Sequence, residues 1–270
     1  MNRKLGILTV VIFVALALNM KSAMAHLRTY AFTEEYRTIP QGNFEFEGWT
    51  IFKVPDGSKT NENTFDYQGE LEYGITDRLT IAHYERWQTQ NVVGSDNSTV
   101  YKGFKFETKY RIGEKGQYWL DPLIYIEWAT DPREHEHHNE IESKLVLSKD
   151  FGKLNVVYNQ IMENELTRDG RTNHEFSSGV NYEVLPELRA GVEFTGDVWH
   201  HTTHQNELYL GPTLAWENKY FWVVAGALFG LNHVADDHQV RLIVGIPFPF
   251  DAGSIFKKPS SVDTSKVAVS

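Results

Sequence analysis

Between Gly42 and Phe250 the chain alternates apolar and polar residues with a period of two, in runs of about ten residues. In "VYKGFKFETKYRI" Phe104, Phe106, Tyr110 and Ile112 share one parity, and Lys105, Glu107, Lys109 and Arg111 the other. "LRAGVEF" sets Leu188, Ala190, Val192 and Phe194 against Arg189, Gly191 and Glu193. Side chains of a strand point alternately to its two faces, so each run predicts a strand with one oily and one charged face.

Twelve such runs are present, near 42–52, 64–75, 78–88, 99–112, 119–129, 139–148, 153–163, 174–184, 188–197, 206–216, 220–230 and 238–250. Short links ("TDR", "GEKGQY", "KDFG", "LPE", "ENK") rotate strictly with long polar ones such as "KVPDGSKTNENT" and "TDPREHEHHNE". An even number of antiparallel strands with tight turns at one end and long loops at the other predicts an all-β transmembrane barrel. The oily face would then meet lipid, and closure leaves no unpaired backbone edge there. Tryptophans near the run ends read as two interfacial girdles: Trp87, Trp128 and Trp199 toward the long loops, Trp119, Trp216 and Trp222 toward the short turns. A soluble periplasmic β-protein would show the same alternation, but it does not need the rotation of link lengths. Pro212, inside a run, is expected at a bulge. In "RLTIAHYERWQ" the lipid-facing parity is ambiguous beyond Ala82.

The termini fix the compartment. A basic start (Arg3-Lys4), the apolar run "LGILTVVIFVALAL" and Ala23-Met24-Ala25 predict a signal peptide over 1–25, cleaved after Ala25. That removes three bases (Arg3, Lys4, Lys21) and no acid, taking the net charge from −10 to near −13. An acidic exported chain lacks the basic footprint of a nucleic-acid binder. The absence of cysteine excludes disulfides and thiolate metal sites. The resulting organisation is a signal peptide (1–25), a weakly alternating periplasmic arm or plug (26–41), a barrel (42–250) and a Ser/Lys/Pro-rich disordered periplasmic tail (251–270).

"ELEYGITDRLTIAHYE" resembles the strand–turn–strand hairpin of bacterial outer-membrane transporter and porin-like barrels of poorly defined function. The run "VRLIVGIPFPF" resembles the aromatic-terminated last strand that barrel-assembly machinery reads in such proteins. The resemblance implies a Gram-negative outer-membrane location, with lipid, lipopolysaccharide and that machinery as partners. The twenty residues after Phe250 depart from it, because such barrels usually end on the aromatic.

Three constellations are candidates for function. The inward parity carries an acid excess: Glu45, Glu47, Glu70, Glu72, Glu107, Glu127 and Glu193 among the acids, and Lys105, Lys109, Arg111, Arg189 and Arg241 among the bases. Twelve strands enclose a narrow lumen at most, either an open or gated channel or an interior filled by an acid–base network. Carboxylates along a pore favour cations, so the primary expectation is a channel or transporter for a small polar, cationic solute. The alternative is a rim that binds copper, zinc or nickel without conduction, through His135, His137, His138, His200, His201 and His204 in the long links; no other cofactor is expected. Hydrolysis is not expected, since Ser143, Ser177 and Ser178 have no histidine on the same face at strand spacing.

A shared metal rim predicts that replacing His135, His137 and His138 with asparagine lowers copper, zinc or nickel affinity about ten-fold or more, and that binding weakens as pH falls through about 6.5. Isothermal titration of the folded protein checks both. Unchanged affinity in the triple variant eliminates the site.

Overall fold

The computed structural model describes residues 28–55, 62–92, 97–131, 138–167, 170–199 and 206–249. Twelve strands follow one another: β1 (Asn43–Val54), β2 (Glu62–Thr76), β3 (Leu79–Val92), β4 (Ser98–Arg111), β5 (Asp121–Asp131), β6 (His138–Phe151), β7 (Leu154–Glu165), β8 (Thr172–Leu185), β9 (Leu188–Trp199), β10 (Leu208–Glu217), β11 (Trp222–Gly230) and β12 (His238–Pro249). Each pairs antiparallel with its sequence neighbours, and β1 closes on β12 from Asn43↔Pro249 to Val54↔His238. The sheet is a closed barrel with no free edge. No helix among the described residues is long and apolar enough to cross a membrane. The crossing elements are strands.

Alternation sorts the wall. Phe106, Ile126, Val180, Val192 and Leu214 lie on the outside, each about half exposed. Glu107, Glu127, Asn181, Glu193 and Thr213, one residue away from them, are buried within. On β3 the ambiguous parity resolves: Ala82 and Tyr84 are buried inside, while Ile81 faces out at 43 % exposure. A bulge opposite Arg86 and Trp87, with Gly103 at φ 92°, resets β4 so that Lys102 reaches Asp131 at 2.7 Å. One polar cluster left on the outer wall pairs within itself. His83 Nε2 lies 3.1 Å from Glu85 Oε1, and the Tyr101 hydroxyl donates to Glu85 at 2.6 Å.

Two expectations need correction. Pro212 sits at no bulge: β10 pairs continuously with β9 from Leu208↔Gly196 to Trp216↔Leu188 without a shift. The β10–β11 ladder instead omits Gly211 and Pro212. There the proline has no N–H to give, and a Cβ on Gly211 would lie 1.7 Å from the Ala227 carbonyl. Trp222 is not a girdle residue. It is wholly buried inside, packed over Gly245 where a Cβ would meet its ring at 2.0 Å. Its strand, "WVVAGALFG", is apolar on both faces, so parity could not be read from polarity. Trp119 and Trp216 are exposed toward the short turns and Trp87 toward the long loops, whereas the side chain of Trp199 lies outside the described residues.

The barrel predicts asymmetric costs. Val192→Arg, on the outer face of β9, should destabilise the folded protein by about 2–4 kcal/mol in a lipid bilayer. Glu175→Arg, on the lumenal face of β8, should cost less. Denaturant titration in vesicles measures both, and equal costs would argue for a two-sided soluble packing.

Candidate functional site in the barrel lumen

Residues 28–41 run inside the barrel. Entering β1, the chain is held at the short-turn end: the Gly42 N–H donates to the Gly74 carbonyl at 2.8 Å, Ile39 N–H to Thr80 Oγ1 at 2.8 Å and Gln41 N–H to Asp77 Oδ1 at 2.9 Å. The carbonyls of Pro40 and Ile39 cross Gly74 so closely that a Cβ there would fall 2.2 and 2.4 Å from them. Further in, Tyr30 lies over Gly179, where a Cβ would meet the ring at 2.3 Å. The wall leaves out side chains where the segment passes.

This segment has no strand pairing, so its buried backbone must find other partners. Glu193 supplies two acceptors, one oxygen to Ala31 N–H and the other to Phe32 N–H, both at 2.8 Å. Glu35 accepts from the N–H groups of Thr29 and Tyr30. The Asn159 amide accepts from Glu34 N–H at 2.8 Å and donates to the Glu34 carbonyl at 3.0 Å. Arg241 donates to the Ala31 carbonyl at 2.9 Å. The wall thus performs the satisfying role that a sheet neighbour performs elsewhere.

Charge dominates the β1–β4 side. Glu45 and Glu72 stand directly opposite across β1 and β2, as do Glu47 and Glu70. The pattern continues as Glu107↔Glu127, Glu127↔Glu142, Glu142↔Glu163 and Glu140↔Glu165. Like charges directly opposite destabilise a sheet, so each pair needs a countercharge. Arg37 of the internal segment supplies it at one end, 2.7 Å from Glu45, 2.7 Å from Glu47 and 3.0 Å from Glu72, with its guanidinium 5.4 Å from the Trp222 ring. Arg28 lies 3.7 Å from Glu47 and 3.5 Å from Glu34, and 4.6 Å over the Trp49 ring. From the wall, Lys109 reaches Glu72 at 2.6 Å, Glu107 at 3.0 Å and Glu34 at 3.7 Å, and Lys105 reaches Glu127 at 2.8 Å.

Apolar packing also holds the segment. Tyr30 and Tyr36 join Leu123, Tyr125, Val146 and Val157 in one buried cluster, and Ala31 joins Trp49, Ala215, Trp222, Val224 and Ile243 in another. Cavities lie on both sides of the segment. One of ≈ 630 Å³ at the short-turn end is lined by Arg111, Lys115, Arg189, Asp77, Asp150 and Glu183, among others. Another of ≈ 260 Å³ toward the long loops is lined by Lys53, Asp66, Arg86, Lys102, Lys105 and Arg241, among others.

Of the lumenal residues expected from sequence, Glu45, Glu47, Glu70, Glu72, Glu107, Lys109, Glu127 and Glu193 are buried inside. Arg111 and Arg189 line the short-turn cavity, Lys105 and Arg241 the opposite one. Sequence reasoning missed Arg28 and Arg37, which belong to a segment with no clear periodicity, and the inward Trp49 and Trp222. His135, His137, His200, His201 and His204 lie outside the described residues. His138 opens β6, and its side chain lies outside them too. Ser177 faces inward and donates to Asn159 Oδ1 at 2.9 Å, and Ser178 donates to the Phe194 carbonyl at 3.1 Å.

Losing one partner of a buried ion pair costs about 3–5 kcal/mol. Arg37→Ala should therefore loosen the segment. Trypsin cleavage after Arg28, which is slow while that residue is buried, should accelerate about tenfold or more in the variant. A rate equal to the wild type would show that Arg37 does not retain the segment.

The fold has known counterparts. The COG4313 outer membrane channel from Pseudomonas putida F1 superimposes with a TM-score of 0.62 at 10 % identity, over 81 % of this chain and 100 % of that one. The translocator domain of the autotransporter NalP from Neisseria meningitidis gives 0.50 at 10 % identity, over 89 % and 95 %. At such identity these likenesses concern the fold, which is that of bacterial outer-membrane barrels. No curated protein matches the sequence. A family model matches residues 22–239, so the chain belongs to DUF6662, a family of unknown function.

Proposed function

We propose that the protein is an outer-membrane channel or transporter for a small, polar, cationic solute, with residues 28–41 as its closed gate. The observation that carries this reading is the in-register glutamate pairing of the lumen wall, part of whose countercharge is borne by Arg28 and Arg37 of the internal segment. Those two cations are not part of the wall. When the segment withdraws, Glu45, Glu47 and Glu72 lose Arg37; the segment carries Arg28 and Arg37 against Glu34 and Glu35, so the net charge stays the same, but wall carboxylates are uncovered toward the pore. That arrangement lowers the barrier for a cation.

The segment is suited to leave as a unit. Its bonds to the barrel run through side chains and single backbone groups, among them those at Asp77, Thr80, Asn155, Asn159, Glu193 and Arg241, and through the ion pairs of Arg28 and Arg37. None belongs to the ladder that closes the barrel. Cavities on both sides of it give a solute somewhere to sit before and after passage. A lumen filled for stability alone would not require its countercharges to sit on a strandless segment.

Reconstitution of the mature chain in a planar bilayer tests the proposal. Deleting residues 28–40, or changing Arg28 and Arg37 to glutamine, should raise conductance, with a reversal potential on the cation side. That preference should fade in 1 M salt, where the screening length falls to about 3 Å. Anion preference, or no conductance after deletion, would refute it.

A further inference from the structure

Among the described residues, two glutamate triads bring a carboxylate oxygen of every member within 4.8 Å of the others: Glu45, Glu47 and Glu72, and Glu70, Glu72 and Glu107. All five residues are buried. In the first triad all three members are met by the Arg37 guanidinium. The second is touched by Lys109, but only at Glu72 and Glu107. Glu70 is 1 % exposed, and neither of its carboxylate oxygens has a hydrogen-bond partner. It points into the cluster with both oxygens unbonded.

We propose that Glu70, Glu72 and Glu107 bind a divalent cation of calcium size. The five carboxylates of the two joined triads meet three cations, Arg28, Arg37 and Lys109, which leaves at least two negative charges for a divalent ion to cancel. Carboxylate oxygens this close together can share one ion. A cage of buried carboxylates suits calcium, which takes six to eight oxygen ligands in flexible geometry, whereas magnesium dehydrates reluctantly and keeps several waters. An all-oxygen donor set also favours a hard ion over copper, zinc or nickel. Both oxygens of Glu70 are open to it. The ligating oxygens of Glu72 and Glu107 can serve a cation and a hydrogen bond at once, since each carboxylate oxygen has two lone pairs.

The ion would tie β2 to β4 across β3, because Glu70 and Glu72 lie on β2 and Glu107 on β4. It would also fix the acidic floor against which Arg37 is held. The site stands whether or not the lumen conducts.

The test is refolding from denaturant into detergent with calcium and magnesium both present, desalting, and measurement of bound metal by mass spectrometry and of affinity by calorimetry. Wild-type protein should retain stoichiometric calcium in preference to magnesium. Glu70→Gln should lower calcium affinity about tenfold or more, while Glu163→Gln, on β7, should leave it unchanged. Should Glu70→Gln fail to show the heat-dependent migration of a folded barrel, Glu107→Gln takes its place, and the metal content of the wild type decides independently. Wild-type protein without stoichiometric calcium, magnesium held in its stead, or equal affinity in the Glu70→Gln variant would overturn the assignment.

Discussion

Arg37 sits where three glutamates of β1 and β2 converge, and much of the interior depends on that guanidinium. Two carboxylates facing each other about 5 Å apart repel by roughly 3 kcal/mol at an effective dielectric near 20. The wall repeats that arrangement in six in-register pairs. A sheet built this way is tolerable only with cations inside it. Lys105, Lys109 and Lys144 come from the wall, near Glu127, Glu72 and Glu142 respectively. Arg28 and Arg37 come from the internal segment. Barrel and segment therefore stabilise each other, and neither charge pattern is comfortable alone.

This mutual dependence gives the barrel two kinds of surface. The outer wall is apolar because lipid offers no hydrogen bonds. The inner wall is a mosaic in which carboxylates face the arginines, and Leu123, Val146, Val157, Val224 and Ile243 face the aromatic and small side chains of the segment. The inner half resembles the core of a soluble protein, with most of its buried polar groups matched to partners. The retaining interactions are side-chain bonds and ion pairs in a confined lumen, separate from the ladder that closes the barrel. In the channel we propose, such a gate opens without unzipping the sheet, and the acids it uncovers favour cations.

The fold was legible because lipid on one side and polar groups on the other impose period two on most strands, and link lengths reveal which end is which. Glu107 and Lys109 against Phe106 and Tyr110 is a pattern with one structural reading. Legibility failed where the inner wall is apolar. In β11, Trp222 and Val224 face in while Val223 and Ala225 face out, and nothing in their polarity distinguishes them. Continuous apolarity in a barrel strand is itself a signal that something packs on the inner face, and it points to the internal segment. For the segment the sequence left arm and plug open, since residues with only weak alternation carry no address. Its arginines find their partners only after closure brings β1 beside β2, and Glu193 meets Ala31 only because β9 lies 162 residues along the same wall.

The central claim is that residues 28–41 occupy the lumen of the folded barrel, and a disulfide trap tests it most directly. A Cβ at Gly226 would lie 2.6 Å from the Ala31 Cβ, and a disulfide needs about 3.8 Å, so a slight withdrawal of the segment suffices. The chain has no cysteine of its own, and an Ala31→Cys/Gly226→Cys variant reports on that one contact. On mild oxidation of the folded protein, intact mass should show the loss of two hydrogens, and neither thiol should react with maleimide. Two free thiols, both labelled from solvent under the same conditions, would contradict the account.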